Sequence, residues 1–205
     1  MKIPLAYQRT EYDCGPTTVM NALSCLFDRE ALPPDIMKYI MLFILDGMNE
    51  KGEIGKRGTS RAAMGFLSDW LNRYGKLNRL PIRCEYITGT DVFMGGNSQI
   101  EDGLYRGGVG VARVMFDCEH YVLITGCDKN NVYLFDPYYR RKPFNKDWNI
   151  EMIWDKPNLY NRRVSKAMLN AEGKTAYAFS DPKTREVMMV FNTEREKPVC
   201  PATKR

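Results

Sequence analysis

The chain has 205 residues, 44% hydrophobic and 27% charged, with sixteen glycines and eleven prolines. That is enough length and apolar material for a sizeable core, and it excludes disordered, collagen-like and low-complexity chains. Thirty Lys plus Arg against twenty-five Asp plus Glu give a net charge of +5. The basic clusters Lys56-Arg57, Arg140-Arg141-Lys142 and Arg162-Arg163 are interleaved with acids, so they read as solvated faces with no nucleic-acid footprint.

The first residues, Met1 to Arg9, contain no apolar core of signal-peptide length. The expectation is therefore a cytoplasmic protein whose six cysteines are reduced thiols. Cys14 and Cys25, on one helix, would stand about 16 Å apart, too far to bridge. Cys25, Cys84, Cys118 and Cys127 are expected in packed segments, Cys200 as an inert thiol, and the twelve methionines as core filling. The longest apolar run, Ile40 to Leu45, stops at Asp46 and is far too short to span a bilayer.

Pro16 after Gly15 suits the first turn of a helix, with Val19, Ala22, Leu23 and Leu26 following at helical spacing. Pro33-Pro34-Asp35 opens a second helix, and its later turns, apolar all round, are expected to be buried. Thr59 and Ser60 offer N-caps for a third helix through Trp70 and Leu71, with Gly75 as its end. Strands are predicted over Pro81 to Thr88, Val109 to Phe116, Tyr121 to Thr125 and Val132 to Phe135, with a short helix over Ser98 to Arg106. Thr175 to Phe179 and Glu186 to Phe191 flank a turn signal and read as a C-terminal hairpin. Helices first and an antiparallel sheet afterwards make a single α+β domain over residues 1–205, mainly helical to residue 80 and mainly β beyond it.

Asp13-Cys14-Gly15-Pro16 puts a cysteine at a helix start, where the dipole favours thiolate over thiol. The Cys14 amide and the Gln8 side chain, six residues upstream, are candidate donors to an oxyanion. A nucleophilic thiolate needs an acid–base partner, and His120 is the single imidazole of the chain. Asp136, sixteen residues on, is the candidate to orient its ring. In a hairpin centred on Asp128 the two would lie opposite each other, with Cβ atoms roughly 5 Å apart. A turn centred between Lys129 and Asn130 would spoil that register. Asp117 and Glu119 are weaker candidates. One histidine, and no two cysteines spaced as a zinc site needs, leave no metal or other cofactor expected.

Gln8, Asp13-Cys14-Gly15-Pro16, His120-Tyr121-Val122-Leu123-Ile124 and Asp136-Pro137 together resemble the bacteriocin-processing, double-glycine-cleaving cysteine peptidases. The resemblance, which covers residues 8–137, implies a papain-like fold, with N-terminal helices packed on an antiparallel sheet. It implies Cys14 as nucleophile, His120 as base, Asp136 as ring orienter and Gln8 as oxyanion donor, acting on a peptide or small amide. With neither a membrane run nor a P-loop, the chain looks like a stand-alone, peptidase-like relative of the transporter-linked members. Thr17 and Thr18, where many of those have smaller or more apolar residues, imply a different pocket beside the sulfur. Residues 52–58 and 138–141 are candidate cleft borders, the first read as a mobile connection. The alternatives are an acyltransferase using the same site and a peptide-binding module that does not cut.

Overall fold

The computed structural model describes residues 4–145 and 148–198, so Cys200 lies outside the described residues. Helix α1 (Cys14–Leu26) begins on the cysteine motif and buries Val19, Ala22, Leu23 and Leu26, as its spacing predicts. Helix α2 (Ile36–Ile44) buries Ile36, Ile40 and Ile44 completely, one stripe at i, i+4 spacing. Its other side is open, contrary to expectation: Met41 is 37% and Leu42 67% exposed. A helix lying on a core keeps an outer face whatever residues occupy it.

Helix α3 (Arg61–Asn78) starts at Ser60, whose hydroxyl accepts from the Ala63 amide at 3.1 Å. It runs through Gly75 instead of ending there, and stops at Arg79 in the left-handed conformation, φ +55°. Gly75 serves close packing: a Cβ there would stand 2.6 Å from Ile82 Cγ2 and 2.9 Å from the Leu80 carbonyl oxygen.

The strands are β1 (Ile82–Thr88), β2 (Val109–Phe116), β3 (Cys118–Cys127), β4 (Asn131–Phe135), β5 (Glu151–Met152), β6 (Arg162–Ser165) and β7 (Glu186–Asn192). Two further short α-helices are α4 (Gln99–Tyr105), capped by Ser98, and α5 (Lys166–Asn170). All seven strands join one sheet in the order β1-β7-β2-β3-β4-β6-β5, each pair antiparallel. Helices with an antiparallel sheet are the class the sequence predicts.

The C-terminal hairpin does not form. Residues 175–179 are not a strand, and β7 lies between β1 and β2, buried along its whole length. Val187 pairs with Ile87 on one side and Ala112 on the other. A strand buried on both faces reads as an apolar run, and the run itself does not say which neighbours it takes. Alternate residues supply two cores, one per face. Val111, Leu123, Met188 and Val190 pack with α1, α2 and α3. Ala112, Val122, Ile124, Leu134, Val187 and Met189 pack with Phe144, Tyr177 and Phe179.

The β3–β4 turn is centred between Lys129 and Asn130, the register expected to separate His120 from Asp136. Asp128 N donates to Asn131 O at 2.9 Å, and Cys127 faces Val132. The register then shifts between Ile124 and Gly126, so that Ile124 faces Leu134 and Leu123 faces Phe135. One extra residue in β3, Thr125, forms a bulge that restores the parity. Asp136, directly after β4, therefore falls on the His120 face as a diagonal neighbour, not the facing one. Among the described residues no helix is long and apolar enough to cross a membrane.

Candidate active site

Cys14 is the first residue of α1 and 7% exposed, with Thr17 N donating to Asp13 O at 3.0 Å to close the first turn. Gly15 meets the loop before α3. A Cβ there would stand 2.2 Å from Thr59 Oγ1, which donates to Ile44 O at 2.5 Å. Only a residue without a side chain lets that loop lie against the cysteine motif. Thr17 and Thr18 are buried, and Thr18 donates to Tyr121 O at 3.1 Å, tying α1 to β3. Neither is among the residues that line the cleft.

His120 stands near the start of β3, just after a tight turn in which Asp117 (φ +60°) separates β2 from β3. Its Nε2 lies 2.8 Å from Asp136 Oδ1. Cys14 beside the ring adds to the rise in its pKa, and with Nε2 taken by Asp136, Nδ1 is the nitrogen left to face the sulfur. The structure thus places Cys14 and His120 on one cleft, with Asp136 bound behind the ring. Phe116 flanks the imidazole at 5.7 Å between centroids and leads on to Tyr138, Phe144 and Tyr177.

Asp136 is fully buried. Its Oδ1 also accepts from Tyr138 N at 2.8 Å, and its Oδ2 accepts from Tyr177 Oη at 2.6 Å. Asn161 holds its backbone from both sides, accepting from Asp136 N and donating to Asp136 O, each at 2.8 Å. Arg162 Nε donates to Tyr177 Oη at 3.2 Å and its NH1 to Asn161 O at 2.9 Å.

Burial penalises both charges, and each partner offsets the penalty for the other. For His120, burial lowers the pKa, but the Asp136 charge and hydrogen bond, with Cys14 beside the ring, outweigh it and raise the pKa to about 10. For Asp136, burial raises the pKa, but His120, Tyr177 and Arg162 outweigh it and hold the pKa below the usual carboxylate value. At neutral pH the two form a buried ion pair.

Gln8 reaches the same cleft. Its backbone N donates to Pro137 O at 2.9 Å, joining it to the segment just after Asp136. Its Nε2 donates to Thr10 O at 2.9 Å, while its buried Oε1 has no partner among the described residues. One N–H of the amide is occupied and the second is free to donate. Asp13 braces this loop, accepting from Arg9 N at 3.1 Å, and from Thr10 N and Thr10 Oγ1 at 2.9 Å each.

Cys14, His120 and Gln8 line an open cleft of about 610 Å³ together with Tyr12, Lys56 to Thr59, Phe116 to Glu119 and Tyr138. Both expected border loops thus reach its wall. Glu119 is engaged by Arg113 at 2.8 Å and does not contact the ring. Cys118, expected in a packed segment, is exposed on the cleft wall. Asn161, Arg162 and Tyr177 escaped sequence reasoning altogether. Arg162-Arg163 read as a solvated pair, yet Arg162 is 1% exposed. Burial of an arginine depends on partners that only the tertiary fold supplies.

A cysteine at a helix start, an imidazole on the same cleft and a carboxylate behind the imidazole are the parts of a cysteine hydrolase. The model of the Peptidase_C39 like family matches residues 1–158, and the chain belongs to that family. The chain is similar to the peptidase domain of Streptococcus ComA, a bi-functional ABC transporter involved in quorum sensing. The two are 14% identical with a TM-score of 0.43, over 92% of this chain and 97% of that one. The family assignment rests on the model match, not on this likeness. No curated protein matches the chain.

Proposed function

We infer that the protein is a cysteine peptidase that hydrolyses a peptide or small amide through an acyl-enzyme on Cys14, as one domain. The observation that carries the reading is that the only histidine, hydrogen-bonded to buried Asp136, lines one open cleft with Cys14. The Cys14 thiolate attacks the carbonyl carbon, and the oxyanion takes hydrogen bonds from the Cys14 amide and the free Gln8 N–H. Collapse breaks the C–N bond, and His120 gives its proton to the departing amine. A water then loses a proton to His120 and attacks the thioester, releasing the carboxylic acid and restoring the thiolate beside the protonated ring. Asp136 holds the ring with Nε2 inward throughout.

The test is brief labelling with limiting iodoacetamide at pH 6, located by peptide mass mapping. An ordinary thiol, with a pKa near 8.5, is mostly protonated at that pH. Selective labelling of Cys14, lost in His120→Ala, is expected. A peptide mixture cleaved by the wild type and left intact by Cys14→Ala completes the test. Labelling spread evenly over the thiols would sink the reading, and amide products formed with added amines would turn it toward acyl transfer.

A further inference from the structure

We propose that Tyr177, oriented by Arg162, is a positioning residue that keeps Asp136 ionised and turned toward His120, so that the segment after residue 158 completes the active site. The inference rests on the peptidase reading for its meaning in catalysis, but not for its geometry.

Asp136 is a carboxylate with no access to water, and such a group stays charged only when donors occupy its oxygens. Oδ1 has two donors, His120 and the Tyr138 amide. Oδ2 has the Tyr177 hydroxyl at 2.6 Å. Without that hydroxyl, Oδ2 has no donor that the structure shows, and the neutral acid gains ground. A protonated Asp136 no longer compensates the imidazolium, and Cys14 loses the partner that its thiolate needs.

The direction of the Tyr177 hydrogen bond follows from Arg162. A guanidinium only donates, so Nε at 3.2 Å fills a lone pair of Tyr177 Oη and turns its proton toward Asp136. Burial, followed by the charge of Asp136, raises the Tyr177 pKa well above the ordinary phenol value, so the donor keeps its proton. Arg162 is held in turn by Asn161 O and by the Phe144 ring, 5.7 Å from its Cζ. The charged and titratable groups facing the Asp136–His120 pair are thus Cys14 from α1, Arg162 from β6 and Tyr177 from the loop before β7.

Tyr177 also carries a conformational cost. It is fully buried with φ +62°, a region that a bulky side chain rarely adopts. Tyr177 N donates to Met115 O at 2.7 Å and Met115 N to Ala178 O at 2.8 Å, fixing this backbone against the end of β2. Strained backbone that persists inside a core is a common mark of a functional position.

The chain has one histidine, so the His120 ring signals in an NMR titration need no assignment. They report loss of the Asp136 charge as an acid inflection. In the wild type no such inflection is expected above pH 3.8 while the protein is folded. In Tyr177→Phe it should move up by about one pH unit or more, the loss of one charge-assisted hydrogen bond. Arg162→Lys, which keeps a cation but loses the fork that orients the hydroxyl, should shift it the same way by less. Circular dichroism at each pH confirms the fold, and if Tyr177→Phe does not fold, Arg162→Lys decides.

A purely structural role would lower the melting temperature and leave the inflection in place, and that result overturns the proposal. Repeating the titration in Cys14→Ala separates this inference from the peptidase reading. An upward shift there supports the positioning role even if Cys14 proves not to be selectively labelled.

Discussion

His120 makes the chemistry of the site unusually easy to read, because no second imidazole competes with it in any measurement. Asp136 is the main group that raises its pKa to about 10. Asp136→Asn should therefore bring the ring titration down toward 6.5, with Cys14 labelling at pH 6 slowed at least about tenfold. Mass mapping and the ring signals check both. The linkage has two signs. The raised histidine contributes stability that is present below pH 6.5 and lost as pH climbs toward about 10. The lowered aspartate contributes stability that is present above pH 3.8 and lost in acid. Urea midpoints should decline from pH 6.5 to 9.5 in the wild type, and Asp136→Asn should flatten that decline. The four candidate residues were legible as residue types at telling intervals. Tyr177 and Arg162 were not, since Tyr177 fell in a stretch that read as a hairpin strand and one arginine beside another looks like surface.

At the scale of elements, the placement of His120 relative to Asp136 depends on Thr125. The hairpin turn alone would set the two on opposite faces, and the bulge corrects it. Deleting Thr125 should leave a folded hairpin of wrong parity and abolish selective Cys14 labelling, with the circular dichroism spectrum largely retained. The strands could be read from their composition, but a bulge of one residue has no local signature, so the sequence allowed this geometry without forcing it. Glycines were similarly half-legible. Gly75 looked like a helix end and proved to be a point of close contact with Ile82. Gly15 stood out as the residue before a helix start, and what it admits is Thr59. Gly15→Ala should cost about 1–3 kcal/mol, measured by urea unfolding.

At the scale of the molecule, Glu186 joins the strands and helices at one buried point. The carboxylate accepts from the hydroxyls of Tyr86 and Tyr121, with Arg61 at 3.4 Å and Arg113 at 3.5 Å. Glu186→Leu leaves the buried Tyr121 hydroxyl without its acceptor, while Arg113 keeps Glu119 and Thr184 O and the Tyr86 hydroxyl keeps Arg61 O; it should cost about 1–3 kcal/mol, again by urea unfolding. The family match stops at residue 158, yet β6, Tyr177 and β7 lie beyond it. A chain cut at 158 should show no cooperative melt, because the sheet would lack the strand between β1 and β2. The class of fold was legible from the order of helical and strand patterns. The place of β7 was not, because strand order depends on which edges remain open when the rest has assembled.

That strand order also imposes a schedule on the growing chain. β1 and β2 leave the ribosome well before the strand that must lie between them, so they wait as separate edges with their apolar faces uncovered. Cys14 and His120 are made early as well, but Tyr177 and β7 are made late. Sheets closed by distant segments are slow to form and exposed to misassembly while they wait. On the proposed peptidase reading, Cys14 would stay unarmed through most of its own synthesis, because Asp136 gains its Tyr177 donor only when the end of the chain folds in.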